Sequence, residues 1–302
     1  KRGKTMNAAT INTNEATLVN PSVKVTKSRK HLLGDHPIIF SFAAKIFLMA
    51  LMLVSIRFIP INSSVGDFIN TLLPIFILAI IVKARYGKEL EFGFRLNNTL
   101  TCFRLCTLYF IGSAFFILIN LLTGETPVST QEGLTFAITT SIAAGVYEEI
   151  FYRAIICNNM MRVWKDRKGG MYAAAVVSAL VFGVSHLSNG FLTGFTSGLV
   201  SQIIFATAAG TLFGAIYLRT RNLWGLITVH TIWDLSGFLF TDFSELTAEA
   251  ANISTEVANH TADAFDITAI AFDIVIMVIT LVISAYVLRP SKHAEIKALW
   301  NS

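Results

Sequence analysis

The sequence predicts an all-α, polytopic integral membrane protein, about eight transmembrane helices around a polar cavity inside the membrane. Three observations predict it. Of 302 residues, 54% are apolar and only 14% charged, with a mean hydropathy of +0.61, whereas soluble domains carry about 25% charged residues. After Pro37 the chain divides into apolar stretches near the roughly 20 residues that span a bilayer. Finally, Lys and Arg gather on alternate connections, the pattern that orients membrane helices.

The elements follow in order. Residues 1–36 are rich in Asn, Thr and Lys, hold seven Lys/Arg against two Asp/Glu, and so account for the whole net charge of +5. They contain no apolar run of signal-peptide length and are expected to be a partly disordered basic tail rather than a cleaved leader. Because the charge is confined to this tail, nucleic-acid binding is not expected. A membrane-embedded domain is expected over 37–290, followed by a cytoplasmic tail over 291–302. Within the domain the eight stretches run approximately Ile38 to Ile56, Phe68 to Val82, Leu105 to Leu122, Leu134 to Cys157, Met171 to Leu187, Leu199 to Leu218, Leu223 to Phe240 and Ile267 to Leu288. The second and fifth are short for a full span, which suggests tilt, local thinning or a re-entrant course.

Placing the N-terminus inside puts 21 of the 24 Lys/Arg on the cytoplasmic side, the exceptions being Lys45, Arg57 and Arg153. The connection Thr241 to Asp266 has six Asp/Glu and no Lys/Arg, which fits the outer face. Both termini are then cytoplasmic. That connection also holds the sequons Asn252-Ile-Ser254 and Asn259-His-Thr261, triplets common by chance in Asn/Thr-rich loops. Cys102, Cys106 and Cys157 lie in apolar runs without a Cys-x-x-Cys pairing, so core thiols are expected rather than disulfides. Gly194 to Gly198 and Gly210 to Gly214 place small residues one turn apart, a device for close helix packing. Lys45 and Asp273 are expected to snorkel separately to their nearer interfaces.

An ionisable group in a bilayer costs about 2.5 to 3.5 kcal/mol on insertion scales, so each one needs a reason. The fourth stretch carries Glu148-Glu149-Ile-Phe-Tyr-Arg153. Glu149 and Arg153 have the i,i+4 spacing of a helical ion pair, while Glu148 is rotated by about 100° and is left to face a cavity. The fifth stretch ends in Phe182-Gly-Val-Ser-His186, whose histidine could equally cap the helix end. The seventh carries His230-Thr-Ile-Trp-Asp234, which puts two polar groups on one face or bonds them to each other. Together these residues imply a polar pocket. It can activate water with a carboxylate and hold an oxyanion with histidine donors, or bind zinc through Glu148, His186 and His230.

These three motifs, Glu-Glu-x-x-x-Arg at 148–153, Phe-x-x-x-His at 182–186 and His-x-x-x-Asp at 230–234, resemble in order and spacing those of the CAAX prenyl protease and bacteriocin-processing (Abi) membrane proteins. The resemblance covers roughly Leu134 to Phe240. It implies an intramembrane glutamate-type endopeptidase in which Glu148 activates water, His186 helps hold it, His230 with Asp234 forms the oxyanion site, and Glu149 and Arg153 support them from behind. Among the proteins this chain resembles, eukaryotic prenyl-protein members carry Asn at the position of Asp234, whereas bacterial relatives also have Asp; an ionised Asp cannot donate to an oxyanion, so it must be protonated or orient His230. By the resemblance, the substrate is a membrane-associated peptide or precursor, of bacteriocin, pheromone or prenyl-CAAX type, and no cofactor is implied. The composition suggests a bacterial plasma membrane. Two other classes stay open: a non-catalytic membrane regulator or immunity protein, and a zinc-dependent membrane hydrolase. A secondary transporter fits less well, for want of an inverted repeat.

Helix boundaries drawn at these limits put Glu148, His186 and His230 at different depths. For the three to meet, the fourth helix must begin later and run on toward Met161, or the fifth must tilt or start further out.

Overall fold

The computed structural model describes residues 33–59, 63–190, 194–241 and 267–301. The basic tail up to residue 32, and the acidic connection beyond Thr241 with its sequons, lie outside the described residues. The regular structure of those described is all helical, with no strand among them.

Helix α1 (Pro37–Phe58) opens on a proline, whose fixed φ suits a first turn. Helix α2 (Ser64–Tyr86) is capped by Ser63, whose hydroxyl accepts from the Gly66 amide at 3.1 Å. A short helix α3 (Thr99–Leu105) meets α4 (Thr107–Leu122) at a bend of 57°. Thr130 caps α5 (Gln131–Glu148), which passes without a break into a π-helical segment (Glu149–Cys157) and then α6 (Asn158–Trp164). Helix α7 (Gly170–Ser185) tightens into a 3₁₀ turn, His186–Asn189. Thr196 caps α8 (Ser197–Thr220), and Arg221 ends it in the left-handed region at φ 47°. Asn222 then caps α9 (Leu223–Phe238) and donates to the Asn97 carbonyl and Thr99 Oγ1, tying this corner to α3. Helices α10 (Ile267–Val287) and α11 (His293–Asn301) complete the described chain.

Five helical runs are long and apolar enough to cross a membrane, and the bent pair α3–α4 makes a sixth. At about 1.5 Å per residue, the 22 residues of α1 reach about 33 Å, enough for a hydrocarbon core. The chain is an integral membrane protein. The two remaining expected spans are helices as well, but α9 has only 16 residues, and the Gln131–Trp164 run is interrupted by Glu148, Glu149 and Arg153. These are two of the three stretches that carry the motifs. The second and fifth stretches, expected to be short, are full length: Ser64–Glu89 has 26 residues and Gly170–Asn189 has 20. Their helices continue through the polar residues at which the apolar stretches stop.

The bundle is apolar outside as well as inside. Ile46, Leu53, Ile80 and Val282 are exposed on the surfaces of α1, α2 and α10, as expected where lipid is the solvent. At the centre, every residue from Glu149 to Met161 is buried, with α7, α8, α9, α2 and α1 packed around the π segment. Small residues set the closest approaches. A Cβ on Gly210 would lie 3.2 Å from the Ala179 Cβ, and one on Gly214 would lie 3.3 Å from the Ala175 Cα, so this glycine pair seats α8 on α7. The other pair departs from expectation: Gly194 lies before α8 at φ 82°, and among the described residues a Cβ on Gly198 would meet only Thr196, at 3.6 Å. It shapes a turn rather than a seam. Cys102, Cys106 and Cys157 are buried free thiols.

Candidate active site

Two glycines bring the site together. On α5, a Cβ at Gly145 would come within 2.5 Å of Thr231 Oγ1 and 3.2 Å of the Ile227 carbonyl, so α5 lies directly against α9 one turn before Glu148. On α7, a Cβ at Gly183 would meet Thr207 Oγ1 and the Ile203 carbonyl of α8, which draws the Phe182–His186 end inward. Between these helices and α1 lies a cavity of about 470 Å³, lined by Lys45, Glu148, Tyr152, Arg153, His186, His230 and Asp234 among others.

The expected conflict of depth disappears through the course of the fourth helix. It does not begin later; it starts at Gln131 and continues through the π segment to Trp164. π-Helical turns are rare and concentrate at functional sites, because their i→i+5 bonding re-aims side chains. Here the turn begins between the two glutamates.

Glu149 is fully buried and ion-paired with Arg153, Oε1 to Nη1 at 3.1 Å. The same oxygen faces His230 Nδ1 at 2.8 Å. A carboxylate can only accept, so Nδ1 carries the hydrogen and Nε2 is turned toward the cavity acids. Nε2 lies 3.4 Å from Glu148 Oε2 and 3.6 Å from Asp234 Oδ2. The residue that orients His230 is therefore Glu149. Asp234, a candidate for that role from the sequence, sits beyond ordinary hydrogen-bond length. The Arg153 guanidinium is enclosed by the Phe182 and Phe213 rings, 4.9 and 5.4 Å from their centroids, which adds cation–π attraction to the pair.

His186 Nδ1 donates to the Phe182 carbonyl at 3.1 Å, so it does finish its helix as the alternative reading had it. That bond also fixes the tautomer, leaving Nε2 of the neutral ring as an acceptor. Among the described residues no three His, Cys, Asp or Glu side chains converge as a metal-holding group. Glu148, His186 and His230 line one cavity without forming the zinc ligand set considered for them.

One wall of the cavity is formed by Lys45, which the apolar pattern of α1 does not predict. Lys45 does not snorkel to an interface: its Nζ donates to Tyr147 Oη at 3.1 Å and Tyr152 Oη at 3.3 Å, and it lies 5.6 Å from the Phe151 centroid. Tyr152 Oη passes its own hydrogen to Ser185 Oγ at 2.7 Å. The available signal was the general one, that an ionisable group within a span marks a site by default. Asp273, the other expected snorkeller, accepts from Ser201 Oγ on α8.

Neither the curated proteins nor the solved structures include a significant match to the chain. A family model, that of type II CAAX prenyl endopeptidases (Rce1-like), matches residues 130–236, the segment that contains Glu148, Glu149, Arg153, His186, His230 and Asp234.

Proposed function

We propose that the protein is an intramembrane endopeptidase that hydrolyses a peptide bond in a membrane-associated peptide or precursor, with Glu148 as the base that activates water. One observation carries this reading. Of two adjacent carboxylates, Glu149 is committed to Arg153 and His230 Nδ1, while Glu148 lines the open cavity 3.4 Å from His230 Nε2.

The chemistry follows from the hydrogen bonds. Glu148 removes a proton from water as the water oxygen attacks the scissile carbonyl carbon, and later returns that proton to the leaving amine. His186 Nε2, left as an acceptor, takes the water's second hydrogen in a hydrogen bond and fixes its orientation. The tetrahedral oxyanion needs an N–H donor, and His230 Nε2 supplies it. Because Nδ1 already donates to Glu149, this role requires both ring nitrogens to be protonated, and the resulting imidazolium is flanked by Glu149, Glu148 and Asp234. Asp234 then acts as counter-charge to that ring and not as an oxyanion donor, which accounts for Asp where the eukaryotic prenyl-protein members have Asn.

A cavity of about 470 Å³ bounded by helices with apolar outer faces suits a short peptide tethered to the membrane. Bacteriocin or pheromone precursors of a bacterial plasma membrane fit that description, as do prenylated chains. The one-sided distribution of Lys and Arg supports cytoplasmic termini.

The test compares released and membrane-bound peptides from cells expressing wild type or Glu148→Gln at matched levels. Loss of a general base lowers turnover by about 10²–10⁴-fold, so the wild type alone is expected to yield product, with the variant equally abundant and equally heat-stable in detergent. An unchanged peptide profile in cells that still show the wild-type phenotype would establish the non-catalytic regulator instead.

A further inference from the structure

A second cavity, of about 800 Å³, lies away from the acids, where α2, α6, α8 and α11 end. Lys83, Lys88, Arg162, Lys165, Arg221 and Trp300 line it, and the carboxylates that line it are Glu89 and Glu91. Cations outnumber anions five to two.

Those two carboxylates are already engaged. Glu91 accepts from Arg95 at 2.6 Å and lies 3.6 Å from Arg221 Nη2; the Arg95 bond holds its carboxyl below the usual range. Glu89 pairs with Arg162 at 3.7 Å, and Arg162 is further satisfied by the Gly34 carbonyl and by Asp35. The other cations meet weaker acceptors. Lys83 donates to the Leu90 carbonyl at 3.4 Å and lies 5.9 Å from the Phe92 ring centroid, and Lys165 meets the neutral side chain of Asn301. Arg221 is 4% exposed. Its Nη1 donates to the Leu299 carbonyl at 3.0 Å and its plane lies 4.9 Å from the Trp300 ring centroid. Its Nε, fully enclosed, has no hydrogen-bond partner among the described residues. A buried guanidinium N–H without an acceptor is costly.

We propose that this cavity binds a phosphate-bearing anion at the polar end of the bundle, a site separate from the one that holds Glu148. Its chemistry suits phosphate. Lys83, Lys88 and Lys165 line one space together with Arg221, and three ammonium groups with a guanidinium match a group with three strong acceptor oxygens better than a planar carboxylate. The cavity sits where apolar helices end, and Trp300 is of the residue type enriched at membrane–water interfaces. A phospholipid headgroup and a soluble phosphate share this chemistry.

The experiment uses the full chain. In detergent, thermal unfolding is followed with inorganic phosphate or with chloride at equal ionic strength. From nanodiscs of equal parts phosphatidylglycerol and phosphatidylcholine, the lipid that stays bound is read by native mass spectrometry. Preferential retention of phosphatidylglycerol, with inorganic phosphate inert, identifies a headgroup; stabilisation by phosphate without lipid preference identifies a soluble anion; both together mean one site open to either. Lys83→Gln/Lys88→Gln changes two exposed side chains and is expected to reduce either effect about tenfold, as loss of charge-assisted hydrogen bonds does. Arg221→Gln should do the same if it folds, and the lysine pair keeps the test decisive if it does not. The proposal is overturned if neither probe shows a preference, or if the preference survives unchanged in the lysine variant.

Discussion

The central run Gln131–Trp164 and the peripheral helix α10 belong to one bundle and treat charge in opposite ways. The central run places Glu148, Glu149 and Arg153 within six residues and surrounds them with protein, so each finds a partner on its own helix or on α9. Helix α10 turns Phe272, Val275 and Val282 outward and has a single acid, Asp273, held by Ser201. Lipid tails are as apolar as leucine, so no hydrophobic force distinguishes a helix neighbour from solvent. Assembly is then specified at the seams, by small residues and by polar groups that must meet, and the apolar faces specify little.

Three substitutions probe that contrast. The largest effect on folding is expected from Arg153→Met, which leaves Glu149 buried without its cation. Breaking a buried pair on one side costs about 3–5 kcal/mol, so the unfolding transition in detergent should move sharply down. A variant as stable as wild type would mean that His230 alone suffices to balance Glu149. Next comes Gly145→Val. Its side chain would push α9 from α5, costing about 1–3 kcal/mol, and because this seam positions His230 against Glu148, peptide release should fall further than stability does. Equal losses would show the seam to be structural only. The smallest belongs to Val282→Ala on the outer face of α10: a change within about 0.5 kcal/mol, read in the same unfolding assay. A loss several times larger would show that this face is covered by protein and not by lipid.

The parts of the molecule that the sequence made legible are those where a residue's own chemistry fixes its surroundings. Helices were readable from apolar runs, and the pairing of Glu149 with Arg153 from its i,i+4 spacing, because both are local. The partner of His230 was not, since 81 residues separate it from Glu149 and helix packing, the Gly145 seam included, brings them together. Lys45 was misjudged for the same reason: its acceptors, Tyr147 and Tyr152, are more than 100 residues away. The ends of α2 and α7 extended beyond their apolar runs because helix termination depends on caps and on neighbours as well as on hydropathy. The C-terminal segment, expected to be a tail, contains α11, docked through Trp300 Nε1 on the Leu218 carbonyl at 2.8 Å. A contact of that kind leaves no periodic signature in nine residues.

The π segment has a consequence for how this protein can vary. Each i→i+5 turn holds one residue more than an α-turn, so the face presented after Cys157 is out of phase with the face presented before Glu149. Glu148 and Arg153 look into one cavity, while Asn158 and Arg162, a few residues on, look into the other. The nine residues between act as a reading frame in three dimensions. Point substitutions there alter one contact at a time. A single deletion there is expected to rotate α6 against the residues before Glu149 and disturb the basic cavity while leaving Glu148 in place, so along this stretch length is constrained as well as the identities of Glu149 and Arg153.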